Sequence, residues 1–216
     1  MDSHQIIPLF SIPLLIAHIG PLDPMTTAWV KNLDYPKNAV GQTDHDDQLL
    51  EAERGFSALD APQLKTLKNK IQDVVNYFVY NVLDVKKEIE FYFSASWINR
   101  LAQSEQIPTH NHPNSLISGT YYIDVRMESS PITFIKDRNF LTVFPSAISP
   151  EKSGKNVNQY NQEQYTIYPE NGMLAMWPSH VLHEVNYSQE ETDRYGLAFN
   201  IFCKGQLEGG SHKVIL

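Results

Sequence analysis

Residues 106–122 read QIPTHNHPNSLISGTYY and contain two histidines one residue apart, directly after a proline and before a run of strong β-formers. Side chains at positions i and i+2 of an extended segment point to the same face. His110 and His112 are therefore placed to bind one metal ion together. The other interpretation of this stretch is a polar turn that contains two histidines by chance. Other features of the sequence distinguish the metal site from the polar turn.

Composition limits the classes of function. The chain has 216 residues, enough to bury a core, and carries a formal charge of -8 without a basic cluster, which argues against nucleic acid as a partner. Cys203 is the only cysteine, so an internal disulfide framework and a thiolate metal cage are excluded. The apolar stretch 6–20 contains two prolines and lacks the flanks of a signal peptide. We expect a single domain over 1–216, soluble and cytoplasmic, with no membrane partner.

Hydrophobic periodicity predicts one long helix at about 61–83, followed by a β-rich core at about 90–203. Apolar residues recur at steps of three and four in the helical segment. From residue 90 onward, eight short aromatic and β-branched runs are separated by polar residues, glycine or proline. We therefore expect a mainly β fold, a sandwich or barrel, with a flanking helix. The eight runs lie at 89–101, 115–125, 130–135, 140–144, 163–168, 171–177, 180–187 and 194–203.

The last two runs place further polar residues by their alternation. His183 lies on the more apolar face of HVLHEVNY, which indicates the interior of the protein. In RYGLAFNIF, one face is wholly apolar, and the other carries Arg194, Gly196, Ala198 and Asn200. An arginine followed by small residues suits a small anionic ligand, because the guanidinium can bind a carboxylate bidentately and the small side chains leave room for it.

The run SLISGTYYIDV shows the same alternation, with an apolar face and a polar face. Its polar face carries Ser118, Thr120, Tyr122 and Asp124, which are placed to line a second side of the same cavity. We predict that Ser118, Tyr122, Asn99 and Asn200 line the pocket. Trp97 and Trp177 are expected in the core.

The layout of these residues resembles that of the Fe(II)/2-oxoglutarate-dependent oxygenases. Members of that superfamily carry two metal ligands one residue apart at a strand edge, a distal histidine far downstream, and an arginine some ten residues beyond it. Here these positions are His110, His112, His183 and Arg194. The pattern SWIN…HNHPNSLISGTYYI…GMLAMWPSHVLHEVN…RYGLAFNIF is similar to a little-characterised bacterial and phage branch of the superfamily, over about 91–203.

The resemblance implies a double-stranded β-helix (a jelly-roll, cupin-like core) with Fe(II) near one open end. It implies that His110, His112 and His183 bind the metal, and that Arg194 pairs with the distal carboxylate of the co-substrate 2-oxoglutarate. The expected reaction is hydroxylation of a C–H bond with release of succinate and carbon dioxide. No catalytic side chain is expected beyond the metal centre, and the expected location is the cytoplasm of a bacterium or a phage-infected host.

One position departs from the superfamily pattern. Most members have a carboxylate two residues after the first histidine, giving two histidines and one carboxylate around iron, whereas this chain has His112. The sequence leaves three possibilities for the ligand set. Three imidazoles bind the metal, or a water molecule takes the place of His112, or His112 and Asn114 form the ligand pair and His110 lies outside it. We favour His110, His112 and His183, because strand geometry puts the first two on one face.

Two other functions stay open alongside the oxygenase. One is a cupin-like three-histidine metalloenzyme that works without 2-oxoglutarate, which would explain His112 but leaves Arg194 without a purpose. The other is a non-catalytic metal-binding β-barrel module. The substrate is open as well, among a prolyl or another amino-acid residue in a peptide, a free amino acid, a nucleotide and a small metabolite. The oligomeric state, a homodimer included, is also open.

Overall fold

The computed structural model of the protein describes residues 5–35, 43–44, 57–126, 129–137, 150–189, 191–209 and 212–215. The predicted run at 140–144 lies outside these residues. Twelve strands are found in the described residues, and all of the strand pairs within the three sheets are antiparallel. The strands are β1 (Leu15–His18), β2 (Thr43–Asp44), β3 (Glu90–Leu101), β4 (Ile107–His110), β5 (Ile117–Asp124), β6 (Ile132–Ile135), β7 (Gln164–Ile167), β8 (Met173–Pro178), β9 (Leu182–Val185), β10 (Arg194–Lys204), β11 (Gln206–Gly209) and β12 (His212–Ile215).

Strands β1 to β10 build two sheets that pack against each other. The larger sheet has the order β1-β8-β5-β10-β3-β2, the smaller one has the order β4-β9-β6-β7, and β11 and β12 form a separate hairpin. Neighbouring strands are mostly distant in sequence, as in a jelly-roll. Buried side chains of both sheets, among them Leu101, Trp177, Phe134 and Val185, form one cluster between them. The prediction of a mainly β fold with a double-stranded β-helix core is confirmed.

The outer face of the larger sheet is covered by a helical segment. A 3₁₀ turn at Pro62–Leu64 leads into helix α2 (Lys65–Tyr77), and a π-helical turn follows at Phe78–Val82. This segment corresponds to the helix predicted at about 61–83. A shorter helix, α1 (Pro24–Lys31), begins at Asp23, whose carboxylate accepts backbone N–H bonds from the first turn. Within the described ranges, no helix has the length and apolarity needed to cross a membrane.

Alternation along β10 separates the helix side of the sheet from the cavity side. Tyr195, Leu197, Phe199 and Ile201 are buried in the cluster that also contains the apolar face of α2. The intervening residues of β10 point to the other face of the sheet, toward the smaller sheet. The predicted division of this strand into an apolar face and a ligand-facing side therefore matches the structure.

The inner face of the larger sheet is formed mainly by small side chains at its centre. Across the strands, Ala175 pairs with Thr120, Thr120 pairs with Ala198, and Ala198 pairs with Trp97. Gly196, two positions before Ala198, lies between Tyr122 and Asn99 in the same way. Small residues at the middle of two successive rows leave an open space between the two sheets.

Candidate metal and co-substrate site

Three histidines meet at one end of the smaller sheet. His110, the last residue of β4, is the direct cross-strand partner of His183 on β9. His112 lies in the turn after β4, where its backbone N–H donates to the Ser179 carbonyl at 2.9 Å. The candidate ligand nitrogens of the three side chains all lie within 4.8 Å of one another. The structure therefore brings together the three residues that were predicted to bind the metal.

Backbone carbonyls orient two of the rings. The Nδ1 atom of His110 lies 2.8 Å from the Pro108 carbonyl oxygen, and Nδ1 of His183 lies 3.0 Å from that of Val181. A carbonyl only accepts hydrogen bonds, so each Nδ1 carries the proton and each Nε2 keeps a free lone pair. The Nε2 atoms of His112 and His183 are 3.4 Å apart. Ligands about 2.1 Å from one ion and roughly 90–110° apart are separated by about 3.0–3.4 Å, so this spacing fits a shared metal.

Burial keeps two of the imidazoles neutral. Loss of hydration lowers the pKa of His183 to about 3 and the pKa of His112 to about 4. Only the neutral form of imidazole has a lone pair for a metal. Near neutral pH both rings are therefore in the form that binds a divalent cation.

The neighbouring residues bear on the alternatives for the ligand set. Asn114 is exposed and does not line the cavity, so a ligand pair of His112 and Asn114 has no support from the geometry. Trp177 is buried, as predicted, with its ring centroid 4.8 Å from that of His183. The core position predicted for Trp97 is wrong. Its side chain is half-buried, lines the cavity, and has its ring 5.8 Å from that of His112.

The histidines open into a cavity between the two sheets, with a volume of about 430 Å³. Both sheets contribute to its wall. One side is formed by the smaller sheet and the segment after β4, and the other by the inner face of the larger sheet. The lining residues are Trp97, Asn99, Ile107, Pro108, His110, His112, Gly119, Thr120, Ile132, Trp177, His183, Val185, Arg194, Gly196, Ala198 and Phe199.

Arg194 brings a buried positive charge to this cavity. Its side chain is 5% exposed, and burial lowers its pKa. Its guanidinium carbon lies 5.2 Å from the ring centroid of Tyr122, but Nε has no hydrogen-bond partner, and Arg194 makes no ion pair with any described carboxylate. The Tyr122 hydroxyl, which is also buried, lacks a hydrogen-bond partner among the described residues too. Buried polar groups are costly without partners, so this pair fits an anionic ligand.

The floor of the cavity beside Arg194, formed by Gly196 and Ala198, leaves room for such a ligand. Gly196 and Ala198 line the cavity from β10, and a Cβ atom added at Gly196 would already be 3.5 Å from Oγ1 of Thr120. The β10–β5 pairing is irregular between Tyr195 and Gly196, and such irregularities re-aim the side chains next to them. Three imidazoles and a buried guanidinium in one cavity fit a metal ion together with a small diacid.

The other predicted pocket residues have different surroundings. Asn99 lines the cavity, and Tyr122 lies under the Arg194 guanidinium. Ser118 and Asn200 do not line it. The Ser118 hydroxyl donates to Oδ1 of Asn200 at 2.8 Å and lies 2.8 Å from Oγ of Ser179. Because the Ser179 carbonyl binds the N–H of His112, this chain of hydrogen bonds supports the turn that carries His112. A role for Ser118 and Asn200 at the co-substrate stays a prediction.

Sequence reasoning missed the apolar wall beside the histidines. Val185 was placed on the face of His183, but Ile107 and Ile132, its two cross-strand partners, were not expected to line the cavity. These three residues lie one row further along the sheet than the His110–His183 pair. Only the pairing of β4 and β6 with β9 reveals the wall, and that pairing leaves no local signal in the sequence.

Comparisons with known proteins agree with this architecture. Residues 95–200 match the family model described as "Putative 2OG-Fe(II) oxygenase". No curated protein matches the chain. A Pseudomonas putida prolyl-4-hydroxylase has a similar structure, with a TM-score of 0.52, 11% identity and coverage of 88% of this chain and 93% of that chain.

Two further solved structures are similar at the same level of identity. One is a Trichoplax adhaerens prolyl hydroxylase in complex with a hypoxia inducible factor peptide fragment, with a TM-score of 0.54, 11% identity and coverage of 88% and 82%. The other is HygX from Streptomyces hygroscopicus with nickel, 2-oxoglutarate and hygromycin B bound, with a TM-score of 0.54, 11% identity and coverage of 88% and 82%. At this identity the likeness shows the fold alone. Residues 95–200, just under half of the chain, contain all three histidines and Arg194, and over this range the chain is similar to the 2OG-Fe(II) oxygenase family.

Proposed function

We propose that the protein is an Fe(II)- and 2-oxoglutarate-dependent dioxygenase that hydroxylates a C–H bond of a small molecule or peptide and releases succinate and carbon dioxide. His110, His112 and His183 hold the metal, and Arg194 binds the distal carboxylate of 2-oxoglutarate. The observation that carries this proposal is the buried guanidinium of Arg194, which pairs with no carboxylate of the described residues and lines the same cavity as the three histidines.

The histidines provide an oriented, neutral ligand set. The carbonyls of Pro108 and Val181 hold the Nδ1 protons of His110 and His183, so both Nε2 lone pairs stay available. Bound iron(II) supplies the activation of dioxygen and the oxidation of the co-substrate. The protein adds orientation and a coordination sphere that its own side chains do not fill.

Arg194 and its neighbours provide the site for the diacid. The guanidinium can bind a carboxylate bidentately, and the buried Tyr122 hydroxyl can donate a further hydrogen bond. Ile107, Ile132 and Val185 form an apolar wall that suits the methylene groups of 2-oxoglutarate. This wall also excludes water, which strengthens the charge-assisted hydrogen bonds in the cavity.

His112 favours a second candidate, a cupin-like three-histidine metalloenzyme that needs no co-substrate. Three imidazoles would complete its metal site without a carboxylate. Such an enzyme needs no co-substrate carboxylate, so the burial of Arg194 without a carboxylate partner among the described residues would be unexplained. Binding of 2-oxoglutarate separates the two candidates.

The test combines binding and turnover. The purified protein is loaded with Fe(II) without oxygen, titrated with 2-oxoglutarate, and then exposed to oxygen while succinate is measured. The proposal expects one metal per chain, saturable binding of 2-oxoglutarate that depends on the metal, and slow formation of succinate even without a substrate. Metal binding without any affinity for 2-oxoglutarate would overturn the proposal and favour the cupin-like enzyme.

A further inference from the structure

The described residues that line the cavity offer a substrate no charged side chain beyond those that bind the metal and the co-substrate. Among the described residues that line it, every titratable side chain is either one of the three histidines or Arg194. The proposed function uses all four. What remains of the lining is apolar or aromatic, apart from neutral side chains such as Asn99 and Thr120.

Trp97 gives this neutral lining a flat surface next to the metal ligands. Its ring centroid is 5.8 Å from that of His112, and the two planes are inclined by 33°. Because its neighbours in the same row of the sheet, Ala198 and Thr120, are small, the indole is half-buried and lines the cavity. The indole N–H makes no hydrogen bond with any residue that the structure describes. Both the face and the N–H of Trp97 are available to a ligand.

The other tryptophan of the cavity has a different position. Trp177 is 3% exposed and packs between Phe134 and His183, with ring centroids 5.0 Å and 4.8 Å away. Its ring is packed against protein side chains, although its buried N–H has no hydrogen-bond partner among the described residues, so the ring supports His183. Trp97 is the large aromatic side chain at the site whose surface is not used in this way.

Tyr165 extends the aromatic surface on the opposite sheet. It pairs across the strands with Phe134, which in turn pairs with His183. These side chains therefore share one face of the smaller sheet, and Tyr165, on its edge strand, is 50% exposed. Aromatic side chains thus lie on both sides of the histidines, Trp97 on one sheet and Tyr165 on the other.

We infer that the substrate presents an uncharged apolar or aromatic group to the metal and that Trp97 is the surface against which this group packs. This inference rests on the proposed function and names the class of its substrate. A charged group at this place would lose its hydration without meeting a side chain that is free to pair with it, which is unfavourable. An alkyl or aromatic group gains from leaving water, and a ring gains further from stacking on the indole.

The first experiment measures succinate formation by the Fe(II)-loaded protein with saturating 2-oxoglutarate and a panel of N-acetyl amino-acid amides. Leucine is matched with aspartate, and norleucine is matched with lysine, so that each pair has a similar size and differs in charge. Proline and phenylalanine complete the neutral set. We expect neutral members to raise succinate formation at least fivefold above the rate without substrate, and charged members to leave it unchanged.

The second experiment assigns the role of Trp97. Trp97→Ala should raise the KM of the best neutral amide at least tenfold, while metal content and affinity for 2-oxoglutarate stay within twofold of wild type. Trp97→Phe should recover most of the lost affinity, because it restores an aromatic face. Tyr92→Ala is the control, since Tyr92 is an exposed aromatic residue of the same strand that does not line the cavity.

The outcomes separate this inference from the proposed function. Absent binding of 2-oxoglutarate in the wild type contradicts the proposed function itself. If binding and basal turnover are intact, stimulation by charged amides, or by no member of the panel, refutes the substrate class. Loss of metal and of basal turnover in Trp97→Ala would show that Trp97 only supports His112, and would refute its role as a substrate surface.

Discussion

Replacing Arg194 with alanine should weaken the binding of 2-oxoglutarate strongly and leave metal binding intact. Arg194 is 5% exposed, so a carboxylate bound to it is removed from water. Leaving such a charge buried without its partner costs about 2–5 kcal/mol. The Tyr122 hydroxyl remains as a hydrogen-bond donor, so we expect the lower part of this range. About 2–3 kcal/mol corresponds to a dissociation constant raised about 30- to 150-fold.

The assay is titration of 2-oxoglutarate into the metal-loaded protein without oxygen, together with the metal content of each variant. Arg194→Lys keeps the charge but loses the planar fork, so its affinity should fall between those of wild type and Arg194→Ala. Arg100→Ala is the matched control. Arg100 precedes Leu101, the cross-strand partner of Arg194, but its side chain is partly exposed and pairs with Asp193 at 2.7 Å.

Wild-type affinity in Arg194→Ala, with full metal content, would refute the reasoning. The guanidinium would then be buried for another purpose, and the strongest reason to prefer a 2-oxoglutarate enzyme over a cupin-like one would be gone. Equal weakening in Arg100→Ala and Arg194→Ala would point to a general electrostatic effect of removing a positive charge, and would equally contradict a specific carboxylate site.

Six further substitutions test the same cavity. His110→Ala and His183→Ala should each lose most of the bound metal while the circular dichroism spectrum stays that of a folded protein, and full metal content in both would contradict the ligand set. His112→Asp should keep the metal, because it restores the carboxylate common in the superfamily. If His112→Ala leaves the absorption spectrum of the metal site unchanged, His112 is not a ligand. Gly196→Val should abolish binding of 2-oxoglutarate by filling the floor, with metal content as the control. Arg194→Met replaces the buried charge by an apolar side chain of similar volume. The unfolding free energy of the ligand-free protein, measured in urea, should therefore rise by about 1 kcal/mol or more. A decrease would show that the charge has a partner in the folded protein.

Local alternation was enough to predict which side of a strand faces the cavity. In β10 the apolar positions Leu197 and Ile201 are buried in the cluster with α2, and Gly196 and Ala198 line the cavity, as the sequence pattern indicates. The same alternation put His183 on the interior face. These predictions succeed because side-chain direction in a strand depends on position alone.

Predictions that depend on neighbouring strands were less reliable. Trp97 was expected in the core because it is a large aromatic residue in a β run, yet its neighbour Ala198 is too small to cover it. Ser118 and Asn200 were expected at the ligand, and the structure pairs them with each other. Both results follow from pairing between strands far apart in the sequence, and no local pattern encodes that pairing.

The replacement of a carboxylate ligand by His112 changes the charge balance of the whole cavity. A divalent metal and Arg194 bring three positive charges, and neutral imidazoles at His110, His112 and His183 add none. The two carboxylates of 2-oxoglutarate balance two of these charges, and the third would be balanced by the ligand carboxylate that most of the superfamily has. In this protein no ligand carboxylate balances the third charge, and the other side chains that line the cavity are neutral, so binding of the dianionic co-substrate is favoured more strongly than in a site with a carboxylate ligand. The same excess charge acts against a cationic substrate, which agrees with an uncharged group packing on Trp97.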